Sequence, residues 1–196
     1  MPMMRPISRR TAFAALAGAG TAMVAAAPAL AQARPAPVTM GVRPGPGPIG
    51  FRRVTLVSAH SGETFSDIFA IGNRPSVIAM ARLSRLLRDN HSGAMKPMDP
   101  ALIELMARIQ TRVLQPILVT SAYRAPDTNL KLHIAEPFGI PENSFHTRGK
   151  AIDFVVNGVP TTTLARIARE VGAGGIGVYA SGFVHVDTGP VRDWTG

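Results

Sequence analysis

The chain has 196 residues, 46% of them hydrophobic, a formal charge of +9 and no cysteine. The missing cysteine excludes a disulfide scaffold and a thiol nucleophile, and the length suits one domain able to bury an ordinary core. The basic balance raises nucleic acid as a partner, but Arg82, Arg85, Arg88, Arg108, Arg112, Arg166 and Arg169 recur along helical segments without interleaved aromatics, the pattern of solvated helix faces.

In chain order, Ser8-Arg9-Arg10-Thr11-Ala12-Phe13 precedes an Ala-rich apolar stretch that ends at Ala29-Leu30-Ala31. A twin-arginine pattern, an apolar run and a small-x-small site together read as an export signal over residues 1–31, which places the mature protein in the periplasm or cell envelope. An uncleaved anchor is the competing reading, weakened by the alanine and glycine content of the stretch. Residues 32–50 are rich in proline and glycine and read as a stiff, extended tether. Residues 51–196 form the domain.

Within it, Arg52 to Val57 and Thr64 to Phe69 flank Ser61-Gly62 as a hairpin. Val77 to Arg88 and Asp99 to Val113 carry helical periodicity, the second with Asp99 as N-cap and Pro100 at the first helical position. Ile117 to Ala122 reads as a strand, Asp127 to Ala135 as a short helix, Lys150 to Val156 as a strand and Pro160 to Val171 as a helix. Ile176 to Tyr179 then pairs with Gly182 to Asp187 across a turn at Ala180-Ser181. The expected fold is α+β, a small and mainly antiparallel sheet with helices on one face. The run Gly172-Ala173-Gly174-Gly175-Ile176-Gly177 follows a helix rather than opening one, so it reads as a C-cap and turn and not as a phosphate loop.

The chemistry concentrates in Ser144-Phe145-His146-Thr147-Arg148-Gly149-Lys150-Ala151-Ile152-Asp153 and in Phe183-Val184-His185-Val186-Asp187. Alternation along a strand puts Asp153 away from the bulkier apolar face of its run, and Phe183, His185 and Asp187 on one face of theirs. His146 lies in the loop before the first strand, close enough to fold back. Two imidazoles and one carboxylate are the ligand set of a hydrolytic zinc site that keeps a fourth position for water. His146, Asp153 and His185 are therefore the candidate ligands. Each alone would pass for a structural residue; the combined pattern points to a metal. His60, His91 and His133 lie outside it and read as surface or structural. No Gly-x-Ser-x-Gly elbow accompanies the pattern.

Ser144-x-His146-x-x-Gly149-x-Ala151-x-Asp153, Phe183-Val184-His185-Val186-Asp187-Thr188-Gly189 and the upstream Ser121-Ala122-Tyr123-Arg124 resemble the YcbK-like murein endopeptidases. These are relatives of the zinc D-alanyl-D-alanine peptidases of VanX and VanY type and of the zinc domain of hedgehog proteins. The likeness runs from about Arg53 to Trp194, and Val191-Arg192-x-Trp194 closes it. It implies a hedgehog-like or D-Ala-D-Ala-peptidase-like fold, zinc on His146, Asp153 and His185, and peptidoglycan stem peptides as substrate. Arg124 would lie against the substrate and the developing oxyanion, with an ion pair to Asp127 as its purely structural alternative. VanX-like enzymes carry a general-base glutamate three residues before the last histidine, where this chain has Gly182. Asp187 is the nearest carboxylate by sequence and strand face. It is either the base or a partner that orients a ligand imidazole. The expected activity is hydrolysis of cell-wall peptide cross-links. A D-alanyl-D-alanine carboxypeptidase and a zinc-stabilised wall-binding module without catalysis are the alternatives.

Overall fold

A computed structural model of the chain describes residues 50–137 and 139–196. The expected export signal and nearly all of the tether lie outside the described residues.

Strands β1 (Phe51–Ser58) and β2 (Thr64–Ile71) form the expected antiparallel hairpin, and β3 (Arg74–Pro75) extends its outer edge. Then come α1 (Val77–Leu86), α2 (Pro100–Val113), β4 (Ile117–Ser121), α3 (Pro126–Ala135) and one turn of 3-10 helix (Phe145–Arg148). They are followed by β5 (Ala151–Val155), α4 (Thr161–Glu170), β6 (Gly175–Val178), β7 (Val184–Asp187) and β8 (Arg192–Thr195). The strand order is β3-β2-β1-β4-β5-β7-β6-β8. The α+β class is as expected, but the sheet is larger than anticipated and is mixed rather than mainly antiparallel. β4 joins β1 in parallel after a two-helix excursion, and β8 returns past β7 to pair in parallel with the far side of β6. Antiparallel neighbours joined by tight turns are visible locally in a sequence; parallel partners separated by whole elements are not.

Helix α2 starts where Asp99 accepts the Ala101 N–H at 2.9 Å, with proline in its first turn. Leu102, Ile103, Leu105, Met106 and Ile109 recur at helical spacing and are buried, each contributing roughly 1.5–3 kcal/mol of apolar burial. The same stripe carries Gln110. Its amide accepts from Thr55 N at 2.7 Å and donates to Thr55 O at 2.9 Å and Gln115 O at 2.9 Å, replacing a strand partner just before the β4 pairing begins. α1 packs on β2, α2 on β1, and α4 on β6 and β7. Ile152, Phe154, Val184 and Val186 join the helix side chains in one apolar core. Their alternating neighbours Asp153, His185 and Asp187 occupy the opposite face of the sheet, and those are buried as well.

Candidate metal centre

Asp153 on β5 and His185 on β7 stand directly opposite each other in the antiparallel register. Opposed Cβ atoms on such a pair are about 4.5–5.5 Å apart, so two short side chains can meet above the sheet. His146 comes from the 3-10 helix. Ser144 caps that turn by accepting the His146 N–H at 3.2 Å, and Gly149 ends it with φ +67°. A side chain at Gly149 would also press on Pro97 O, 2.8 Å from the position a Cβ would take. Only glycine reverses the chain there, which brings His146 back over β5.

The three groups are 2%, 4% and 7% exposed for His146, Asp153 and His185. His185 Nδ1 lies 2.8 Å from Asp153 Oδ1, His146 Nε2 lies 3.2 Å from the same oxygen, and the two imidazole nitrogens are 3.2 Å apart. A tetrahedral zinc with bonds of about 2.0–2.1 Å spaces its ligand atoms by about 3.3–3.4 Å. The triangle therefore needs a shift of about half an ångström at its shortest edge to hold the ion.

The outer nitrogen of each ring fixes its tautomer. His146 Nδ1 faces the Ala122 carbonyl at 2.5 Å, so it carries the proton and Nε2 keeps its lone pair for the cluster. His185 is turned the other way: Nε2 donates to Asp187 Oδ2 at 3.1 Å, and Nδ1 faces the cluster. Burial pushes His146 below the usual imidazole range. Burial opposes the charge on His185 too, but hydrogen bonds to Asp153 and Asp187 outweigh it and raise that group. For Asp153, burial works upward and is overridden by the charge and hydrogen bonds of His146 and His185, which hold its carboxyl far below the carboxylate range. An ionised carboxylate between two imidazoles is the donor set a borderline-soft divalent cation takes.

Arg124 follows β4. Its NH2 donates to Asp153 Oδ2 at 2.8 Å and its Nε to Ser121 Oγ at 3.2 Å, and the ion pair is to Asp153, not to Asp127. The backbone around it is pinned: Tyr123 N–H donates to Leu87 O at 3.0 Å, Arg124 N–H to His146 O at 3.3 Å, and Ala125 N–H to Asp89 Oδ2 at 2.6 Å.

Asp187 is brought to the same face but is turned from the cluster. It is completely buried. Oδ1 accepts from Gly175 N at 3.0 Å, Gly189 N at 2.8 Å and Arg192 NH1 at 3.2 Å; Oδ2 accepts from His185 Nε2 and from Arg192 NH2 at 2.6 Å. Burial raises its pKa, but these bonds prevail and hold the carboxyl well below the usual range. Gly182, where VanX-like enzymes carry glutamate, is exposed in the β6–β7 turn. His60 and His91 are exposed, and His133 Nδ1 meets Ile140 O at 2.7 Å.

Sequence reading missed Arg192 and Trp194 as parts of the site. Its only signal was the closing Val191-Arg192-x-Trp194 pattern, which gave no role. It also took the glycine run up to the strand at Ile176 for a cap and turn. Gly172 does follow α4 in a turn with φ +84°, but β6 already begins at Gly175, and Gly175 and Gly177 both lie under the side chains of β8.

Comparison with known proteins follows the same pattern. The family model described as peptidoglycan L,D-endopeptidase MepK matches residues 48–194. Peptidoglycan L,D-endopeptidase MepK of Escherichia coli (strain K12) is 36% identical over 148 residues, covering 73% of this chain and 80% of that protein. The probable peptidoglycan L,D-endopeptidase MepK of Haemophilus influenzae is 36% identical over 149 residues, covering 74% and 80%. With its motifs in order along this match and their side chains gathered at one buried site, the chain belongs to the peptidoglycan L,D-endopeptidase MepK family.

Proposed function

We propose that this protein is a zinc-dependent peptidase that hydrolyses the peptide cross-links of peptidoglycan, and that the bond it cuts is the L,D linkage named for its relatives. The observation that carries the reading is the buried triangle of His146, Asp153 and His185, in which each ring turns one nitrogen toward a shared carboxylate that is held ionised. Zinc in such a site supplies a water activated near neutral pH and a Lewis acid for the scissile carbonyl. The protein's own groups do the rest. Ser121 and Asp153 engage two nitrogens of Arg124, which leaves NH1 as the planar, permanently charged donor available to the oxygen on which charge develops as the amide is attacked.

Asp187 serves this site by holding His185. A general base needs an oxygen open to the attacking water, and both oxygens of Asp187 are already filled by five donors. What supports the orienting role is the bond from His185 Nε2, which leaves Nδ1 free for the metal.

The leader pattern in residues 1–31 supports delivery to the cell envelope, where stem peptides are found. No helix among the described residues is long and apolar enough to cross a membrane.

Purified protein incubated with L,D-linked and D,D-linked muropeptide dimers tests the reading. L,D dimers should fall to monomers with zinc present, and the conversion should stop with a chelator and in His146→Ala. The glycine at position 182 favours a second reading, a wall-binding module that uses zinc only for stability. Zinc binding without cleavage of either dimer selects that reading, and cleavage confined to D,D dimers overturns the linkage.

A further inference from the structure

Strand β6 runs between β7 and β8, and its residues facing the site are glycines. Gly177 is paired with His185 on one side and Trp194 on the other; Gly175 is paired with Arg192 and donates its N–H to Asp187. Two rows therefore cross three strands, Asp187-Gly175-Arg192 and His185-Gly177-Trp194. The outer strands of such a trio are about 9.5 Å apart, a gap that side chains close only if nothing stands between them. A Cβ at position 175 would overlap Asp187 Oδ2 and lie 2.7 Å from Arg192 NH1, and one at position 177 would lie 2.6 Å from Trp194 Cε2. The missing side chains are what let β8 reach β7.

Through that opening Arg192 grips both oxygens of Asp187, NH2 to Oδ2 at 2.6 Å and NH1 to Oδ1 at 3.2 Å. Its guanidinium lies 5.0 Å from the ring centre of Phe145, the residue before His146, and 5.2 Å from that of Trp194, whose ring lies 5.1 Å from His185. One planar cation thus touches the carboxylate that orients His185, the neighbour of His146, and the ring that covers His185. A two-pronged donor fixes a carboxylate's rotation in a way a single bond does not.

We infer that Arg192 is a positioning residue for the metal site, fixing the rotation of Asp187 so that Oδ2 holds the Nε2 proton of His185 and Nδ1 stays directed at the metal. This rests on the proposed reading of His185 as a zinc ligand. Loss of a group bonded directly to a ligand, as Asp187 is to His185, typically weakens metal binding about 10- to 100-fold, and Arg192, one bond further out, should sit at or below the lower end of that range.

The test measures zinc affinity of the full protein by competition with a chromophoric chelator for wild type, Arg192→Gln, Arg192→Lys and His185→Ala. Nuclear magnetic resonance follows exchange of the His185 ring proton in the zinc-loaded protein. Arg192→Gln should bind zinc about 3- to 10-fold more weakly and exchange the ring proton faster, while its fold remains. Arg192→Lys keeps the charge without the fork, so it should recover part of the affinity; it also answers the question should the glutamine variant not fold. Wild-type affinity with an unchanged ring proton in either folded Arg192 variant overturns the inference. Wild-type affinity in His185→Ala overturns the ligand assignment instead, so the two failures are distinct.

Discussion

Replacing Asp187 with asparagine keeps its shape, removes one charge and turns one oxygen into an amide nitrogen. If the amide oxygen faces Gly175, Gly189 and Arg192 NH1, the new NH2 confronts His185 Nε2–H and Arg192 NH2, two donors against a donor. His185 can relieve this only by moving its proton to Nδ1, the atom that faces the metal. The expected result is a loss of zinc affinity of about 10- to 100-fold, or about 1.4–2.7 kcal/mol. The metal-free fold should weaken too, because removing one partner of a buried pair costs about 3–5 kcal/mol when the other charge is fully buried. Here Arg192 keeps 39% of its side-chain surface, so solvent offsets part of that and about 2 kcal/mol is expected. Chelator competition reads the affinity, denaturant unfolding reads the stability, and single-turnover cleavage by the metal-bound fraction should stay near the wild-type rate. Asparagine with normal zinc affinity and turnover slowed by about 10²- to 10⁴-fold would refute this reasoning and make Asp187 the general base.

Arg124→Lys should retain zinc and fold but lose turnover, since an ammonium cannot hold Asp153 and still offer a planar second nitrogen; unchanged muropeptide cleavage removes Arg124 from the reaction. Metal removal should lower the melting temperature and alter the fluorescence of Trp194, the single tryptophan, whose ring lies 5.1 Å from that of His185; identical melting and emission with and without zinc contradict the site. Gln110→Leu strands the N–H and C=O of Thr55 and should cost roughly 2–4 kcal/mol in denaturant unfolding, against no change if those groups find other partners. Burial acts to raise the Asp89 pKa but is outweighed by bonds from Ala125, Thr128, Ser92 and His91, which leave it lowered. A lowered folded-state pKa gives stability that is complete above the unfolded value of about 3.9 and is lost as pH falls through the folded one. Asp89→Asn should thus be less stable at pH ~7 and show a flatter decline below pH ~4 than wild type; parallel stability curves contradict this.

Local patterns carried most elements and all three candidate ligands. Asp99-Pro100 marked the start of α2, the alternation of Ile152, Asp153 and Phe154 marked the two faces of β5, and His185 shared a face with Asp187 by the same two-residue period. What was hidden depended on distant pairing. β8 is four residues long, begins two residues after Pro190 and has Trp194 as its one large apolar residue; only its parallel match with β6 makes it a strand. For the same reason Arg192 had no visible role, because nothing in the sequence says that Gly175 would stand between it and Asp187. Asp187 itself had two roles on the strand pattern alone. The orienting role proposed for it rests on the positions of its five donors, three of which come from the loop at Gly189 and from β8 rather than from β7.

Zinc stoichiometry in wild type and in His146→Ala, Asp153→Ala and His185→Ala tests the central claim most directly. The arrangement predicts about one zinc per wild-type chain, from one tetrahedral site, and a marked loss in each of the three variants. Near-stoichiometric zinc retained in all three would contradict it.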